Sequence, residues 1–186
     1  MEEGKIIFKG NSHQDKEIII RYPRKDDARM MWEYINTISK ERTFISFQGE
    51  EVSLDQEGKF LNSQIEKITK HLSVQLLVIC EGKVIGISGI EMKERIEKHI
   101  GVFGISIAKD FRGEGIGSNL MQYVLNEAEK NISQLEIIIL GVFANNDLAK
   151  NMYQKFGFSE YGNLPKGIKL EDGYADHIFM YKVLRS

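Results

Sequence analysis

Three glycines fall within six residues at Arg112-Gly113-Glu114-Gly115-Ile116-Gly117. The β-branched run His99 to Ala108 precedes them and reads as a strand. Ile116, Leu120 and Val124, with Met121, Leu125 and Ala128, follow as two adjacent apolar rows at helical spacing. A strand therefore passes through a glycine-rich loop into an amphipathic helix. Glycine lets backbone approach a ligand closely, and the first N–H groups of a helix have no internal partner. Together with the helix dipole this makes an anion site suited to phosphate or pyrophosphate. The spacing is neither the dinucleotide fingerprint G-x-G-x-x-G nor the P-loop form, which would bring a lysine to a γ-phosphate. A structural turn would need the same glycines, and the strand-to-helix junction is what favours binding.

Other elements must position this loop. Lys16 to Tyr22 is a strand candidate, and Asp26 and Asp27 are expected to cap a helix bearing Ala28, Met31, Trp32, Ile35 and Ile38. A second helix is expected over Leu54 to Thr69, where Leu54, Leu61, Ile65 and Ile68 recur. Val74 to Cys80 and Val84 to Met92 flank a short turn and read as a hairpin. Leu135 to Ala144 is a further strand.

The chain has 186 residues, 42% hydrophobic and 28% charged, a mix that excludes a disordered chain. No run approaches a membrane span, and the N-terminal stretch has no hydrophobic signal region. Net charge is -2, so no overall field draws nucleic acid or anionic lipid. The basic cluster Arg21, Arg24, Lys25 and Arg29 lies amid acids and lacks an aromatic stacking platform. Neither nucleic acid nor membrane is expected as a partner. The one cysteine, Cys80, excludes an internal disulfide and sits in an apolar run as a core residue. His13, His71, His99 and His177 show no ligand spacing, so no metal is expected. The default is a cytoplasmic protein with an N-terminal extension over 1–15 and a single domain over 16–184.

The loop also carries a family signature. Arg112, Gly115 and Gly117 match Arg/Gln-x-x-Gly-x-Gly/Ala, and Asn146, Ala149, Tyr153, Gly157 and Phe158 match a second feature in the right order. On these residues the chain resembles the GNAT superfamily of acetyl-CoA-dependent N-acetyltransferases. The ending Asp172 to Asp176 with Met180 is similar to the branch holding ribosomal-protein N-terminal acetyltransferases. The resemblance implies an α/β fold of α+β type, with a twisted mixed sheet of about seven strands flanked by helices and splayed central strands. It implies that the pantetheine arm of acetyl-CoA pairs with the backbone of Ile105, Ser106 and Ile107. Backbone amides of Arg112, Gly113, Glu114, Gly115, Ile116, Gly117 and Ser118 would hold the pyrophosphate.

Asn146 would touch the pantetheine or cap the next helix, two compatible roles. Tyr153 is expected near the coenzyme sulfur as proton donor, although a packed structural tyrosine fits its spacing equally well. Transfer would run directly from the thioester to a primary amine, with no acyl-enzyme. Glu91 is the leading candidate for the base that takes the amine proton, ahead of His99. Asp176 and His177 fall on opposite faces of the last strand, so at most one could face the acceptor. Glu50 and Glu51 could hold a cationic amine or line a solvated loop. The partners implied are acetyl-CoA and an amine acceptor, and the fold is compatible with a homodimer. The alternative is a catalytically silent acyl-CoA-binding module of the same fold.

Overall fold

A computed structural model describes residues 2–184. Eight strands hydrogen-bond in the order β1-β2-β3-β4-β5-β6-β8-β7, and four α-helices connect them. The resemblance implies about seven strands, and β1 (Ile6–Asn11) lies in the stretch read as an N-terminal extension. Among the described residues, backbone contacts cluster in two compact units, residues 2–91 with 104–133 and residues 92–103 with 134–184.

In the first unit, β1 pairs antiparallel with β2 (Glu17–Arg21), β2 with β3 (Ser73–Cys80), and β3 with β4 (Lys83–Met92). β3 is buried along nearly its whole length, as its apolar run requires. Helices α1 (Ala28–Lys40) and α2 (Leu54–Thr69) pack on each other, and Met31, Tyr34, Ile38 and Leu61 join Leu77 and Val84 in one core cluster. Ser53 caps α2 by accepting the Gln56 N–H, and Gln56 reaches back to the Ser53 N–H at 2.8 Å. Helix α3 (Ile116–Asn131) buries both of its apolar rows. Its Glu127 accepts from the Tyr22 hydroxyl at 2.9 Å.

Asp27 stands at the N-cap position of α1 but does not cap it. Its carboxylate instead takes both Arg21 N–H groups at 2.7 Å and the Arg24 N–H at 2.7 Å. This bidentate pair is buried, so Arg21 is withdrawn from the basic cluster that could have met a nucleic-acid backbone.

In the second unit, the opening of β5 (Ile100–Ile107) pairs parallel with β6 (Ile137–Phe143) over Ile100–Val102 and Ile137–Ile139. β6 pairs antiparallel with β8 (Gly173–Val183), and β8 with β7 (Ser159–Leu170). Pro165 sits at a register break between Leu164 and Ile168 on β7, the edge strand, where a missing N–H is tolerated. Helix α4 (Asp147–Lys155) ends in a Schellman turn. Gly157 has φ +84°, its N–H meets the Gln154 carbonyl at 3.0 Å, and the Phe158 N–H meets the Tyr153 carbonyl at 3.0 Å.

Candidate active site

The glycine loop is built by the first unit. A one-turn helix over Lys109–Phe111 leaves β5, and the chain then enters α3 through Gly113 and Gly115, both at positive φ (+79° and +78°). An L side chain is strained at such angles, so glycine is needed there for conformation alone. Gly115 is constrained a second time, because a Cβ would lie 2.5 Å from the His13 ring. Replacing Gly115 therefore tests packing as much as binding. The first turn of α3 carries no acidic side chain, and Ser118 within it is exposed. The unpaired N–H groups there keep their positive field unopposed.

Arg112 donates from Nε to the Ile107 carbonyl at 2.8 Å and pairs through its guanidinium with Glu41. Glu41 also accepts the Lys109 N–H at 3.0 Å. The motif arginine thus braces the turn. Ser106, on the later half of β5, shares a 2.9 Å hydrogen bond between its hydroxyl and that of Tyr34. Burial pushes the Tyr34 phenol upward, so it stays protonated and fixes the Ser106 side chain. Ile105 and Ile107 are half-buried, and Ser88 donates to the Gly104 carbonyl at 2.9 Å.

The second unit holds the other motif. Asn146 accepts the Ala149 N–H at 3.2 Å and is the N-cap of α4. Tyr153 is 7% exposed, and its ring meets Phe103 edge-on at 6.0 Å and Phe158 at 6.2 Å. The Tyr-x-x-x-Gly-Phe spacing now has a physical reason: Gly157 makes the left-handed turn, and Phe158 folds back onto Tyr153 across it. Burial pushes the Tyr153 phenol up to about 12. Among the described residues its hydroxyl has no hydrogen-bond partner, so its proton remains available.

Glu91 accepts from Lys67 at 2.7 Å and Gln64 at 2.8 Å. Burial raises its carboxyl, but these two donors outweigh it and hold the group below the usual carboxylate range. It is charged at neutral pH and only a weak base. Asp176 accepts the Lys166 N–H at 2.8 Å and the Asn163 amide at 3.2 Å, which occupies it in holding the β7 bulge. The His177 ring lies against Gly141 and Phe179. The Glu50 carboxylate folds back on the Gln48 N–H within its own exposed loop. Cys80 is buried, and burial lifts its thiol, so it is inert as a nucleophile.

A carboxylate that sequence reasoning passed over is Glu57. It is 6% exposed on the inner side of α2 with Leu61, Gln64 and Ile68, and burial raises its carboxyl. Among the described residues it has no charged or hydrogen-bonding partner. The helical spacing places it on the apolar face, which is the signal that could have found it. Its folded pKa lies above the unfolded value, so the fold is weakened as pH rises from the unfolded pKa, about 4.3, through the folded one. Glu57→Gln is expected to raise the melting temperature at pH 7, with the gain vanishing below about pH 4. Calorimetry at the two pH values checks this.

A cavity of about 410 Å³ lined by Lys93, Glu97, Ile100, Ile139, Tyr161 and Tyr181 lies in the second unit and contains none of the motif residues. Among the described residues, no helix is long and apolar enough to cross a membrane, and no three His, Cys, Asp or Glu side chains are grouped to hold a metal.

The family model of the acetyltransferase (GNAT) family matches residues 32–158, which span both motifs. The chain belongs to the acetyltransferase (GNAT) family. Its relatives include the L-amino acid N-acetyltransferase AaaT of Escherichia coli (strain K12), 28% identical over 120 residues that cover 63% of this chain and 74% of that one. The structure of a GNAT acetyltransferase from Streptococcus pneumoniae is 30% identical, has a TM-score of 0.83, and aligns over 90% of this chain and 100% of that one. RimL, the ribosomal L7/L12 alpha-N-protein acetyltransferase, solved with coenzyme A, shares the fold with a TM-score of 0.78 at 13% identity, over 97% of this chain and 98% of that one. This acetyltransferase therefore has the mixed α/β architecture of GNAT enzymes, as its two motifs imply.

Proposed function

We propose that this acetyltransferase moves an acetyl group from acetyl-CoA directly onto a primary amine, as its GNAT motifs imply. The observation that carries the reading is the loop of residues 112–118: two glycines at positive φ, a helix start free of acidic side chains, and a motif arginine already engaged. Backbone amides there take the pyrophosphate, and Ile105, Ser106 and Ile107 pair with the pantetheine arm. Asn146 caps α4 and adds a contact to the same arm.

Attack needs a neutral amine, whereas free α-amino and lysine groups have pKa values of about 7.7–8.0 and 10.4. Glu91, charged at neutral pH, attracts the ammonium and passes its proton to water. Backbone N–H groups near Ile105 to Ile107 stabilise the carbonyl oxygen as charge develops. Tyr153 donates a hydrogen bond to the departing thiolate. The relative that acts on L-amino acids and the N-terminal acetyltransferase neighbour both support an α-amino group as the acceptor class. We place the enzyme in the cytoplasm, in keeping with its single buried thiol.

Free-thiol release from acetyl-CoA in the presence of L-amino acids and of peptides with free N-termini, with the product weighed by mass spectrometry, tests the assignment. Amine-dependent thiol release with an added 42 Da on the amine is the expected outcome (the mass of an acetyl group replacing hydrogen, about 42). Saturable acetyl-CoA binding with no transfer to any of these amines would favour the silent acyl-CoA module.

A further inference from the structure

The turn between β1 and β2 touches the glycine loop at three points about a hundred residues away in sequence. Ser12 donates from its hydroxyl to the Glu114 carboxylate at 2.7 Å, and Lys16 donates to the other oxygen of that carboxylate at 2.6 Å. The His13 N–H meets the Glu114 carbonyl at 3.2 Å, and the His13 ring occupies the space that a side chain on Gly115 would need. Lys16 also lies over the Phe111 ring at 4.6 Å, so it grips the loop just before its glycines as well as within them. The Glu114 side chain is 1% exposed, although it sits between two glycines in a loop whose neighbours Gly113 and Arg112 are exposed. Its hydrogen bonds with Lys16 and Ser12 hold its carboxyl below the usual range. The turn itself is ordered: Ser12 N–H meets the Lys16 carbonyl at 2.9 Å, and the Asn11 amide meets Asp15 at 2.6 Å.

Two glycines at positive φ make a loop that samples many backbone shapes when unrestrained. Anion binding through amides requires one of those shapes. We propose that Glu114 is a positioning residue, and that the β1–β2 turn, through Ser12, His13 and Lys16, clamps the glycine loop in the conformation that receives the pyrophosphate of acetyl-CoA. This rests on the acetyl-CoA reading of the loop given above. Glu114 turns its carboxylate away from the anion site and spends its charge on Lys16, so an acidic residue in the loop does not repel the cofactor.

Glu114→Gln keeps the shape and removes the charge. If it lowers the binding-competent fraction of the loop to about a tenth, the apparent Kd for acetyl-CoA rises about tenfold. The expected result is a KM for acetyl-CoA raised about tenfold with kcat at saturation unchanged, and faster hydrogen exchange at the amides of residues 113–118. The KM for S-acetylpantetheine, which lacks the pyrophosphate, should stay as in wild type. A general loss of structure would move both donors together. Ser12→Ala, which removes one hydrogen bond and no charge, should give the same pattern in weaker form and serves if Glu114→Gln fails to fold. Unchanged exchange and unchanged KM in both variants overturn the clamp. So does an equal rise in KM for the two donors, or faster exchange with acetyl-CoA affinity intact. Ser118→Asp separates the two ideas: if that variant loses acetyl-CoA affinity while the Glu114 and Ser12 variants do not, the clamp fails and the loop assignment stands.

Discussion

Tyr153→Phe is expected to lower kcat by roughly 10- to 100-fold, at or below the foot of the usual range for acid catalysis, about 100- to 10,000-fold. The reason for the low end is the environment of the phenol. A donor with a pKa of about 12 stays protonated through the working range, but it is far weaker as an acid than a thiol near 8.5. Complete proton transfer to the thiolate is therefore uphill, and in the proposed role Tyr153 would act by donating a hydrogen bond. Two consequences follow from this. The ratio of wild-type to variant kcat should be flat from about pH 6 to 10, since no Tyr153 titration falls in that window. The melting temperature should not change, because the hydroxyl has no partner to lose and the ring keeps its contacts with Phe103 and Phe158. Wild-type turnover in the Phe variant, with chemistry rate-limiting, would reduce Tyr153 to the packing half of the Schellman turn.

Ser118→Asp is expected to separate fold stability from cofactor binding. Ser118 is exposed in the first turn of α3, where a carboxylate complements the dipole and leaves stability unchanged or slightly higher. In the proposed binding mode the same charge would face the pyrophosphate. At an effective dielectric between that of water and that of a protein surface, a like charge about 5 Å away costs about 1–3 kcal/mol. That corresponds to a KM for acetyl-CoA higher by about 5- to 150-fold, with kcat at saturation little changed. The substitution also avoids the His13 collision that makes Gly115 variants ambiguous. An unaltered KM would move the pyrophosphate elsewhere.

Most elements were legible because their signals are local. The α2 boundaries, Leu54 and Thr69, follow from apolar residues at helical spacing, and β3 and β4 follow from apolar runs on either side of a short turn. The glycine loop and the start of α3 were legible for the same reason. β1 was not, since Ile6–Asn11 is a half-exposed edge strand with a mixed pattern. Asp27 does hold the helix entry by accepting the Arg24 N–H, but nothing local announces that Arg21 is its other partner. The Glu114 pairings with Ser12 and Lys16 bridge 102 and 98 positions, and Tyr34 finds Ser106 across 72. Periodicity tells which face a residue occupies, and long-range partners are set by packing of elements that periodicity alone does not order. Glu91 shows the limit for chemistry: its strand was legible, but the Lys67 and Gln64 donors that weaken it as a base were not.

The claim on which the rest depends is that backbone amides of residues 113–118 bind the pyrophosphate of acetyl-CoA. Backbone amide chemical shifts followed during an acetyl-CoA titration test it most directly, since glycine amides hydrogen-bonded to phosphate move far and are resolved from the bulk. Saturable downfield shifts at Gly113, Gly115 and Gly117, absent when S-acetylpantetheine is titrated instead, are the predicted result. Saturation by acetyl-CoA with those three amides unmoved would contradict it.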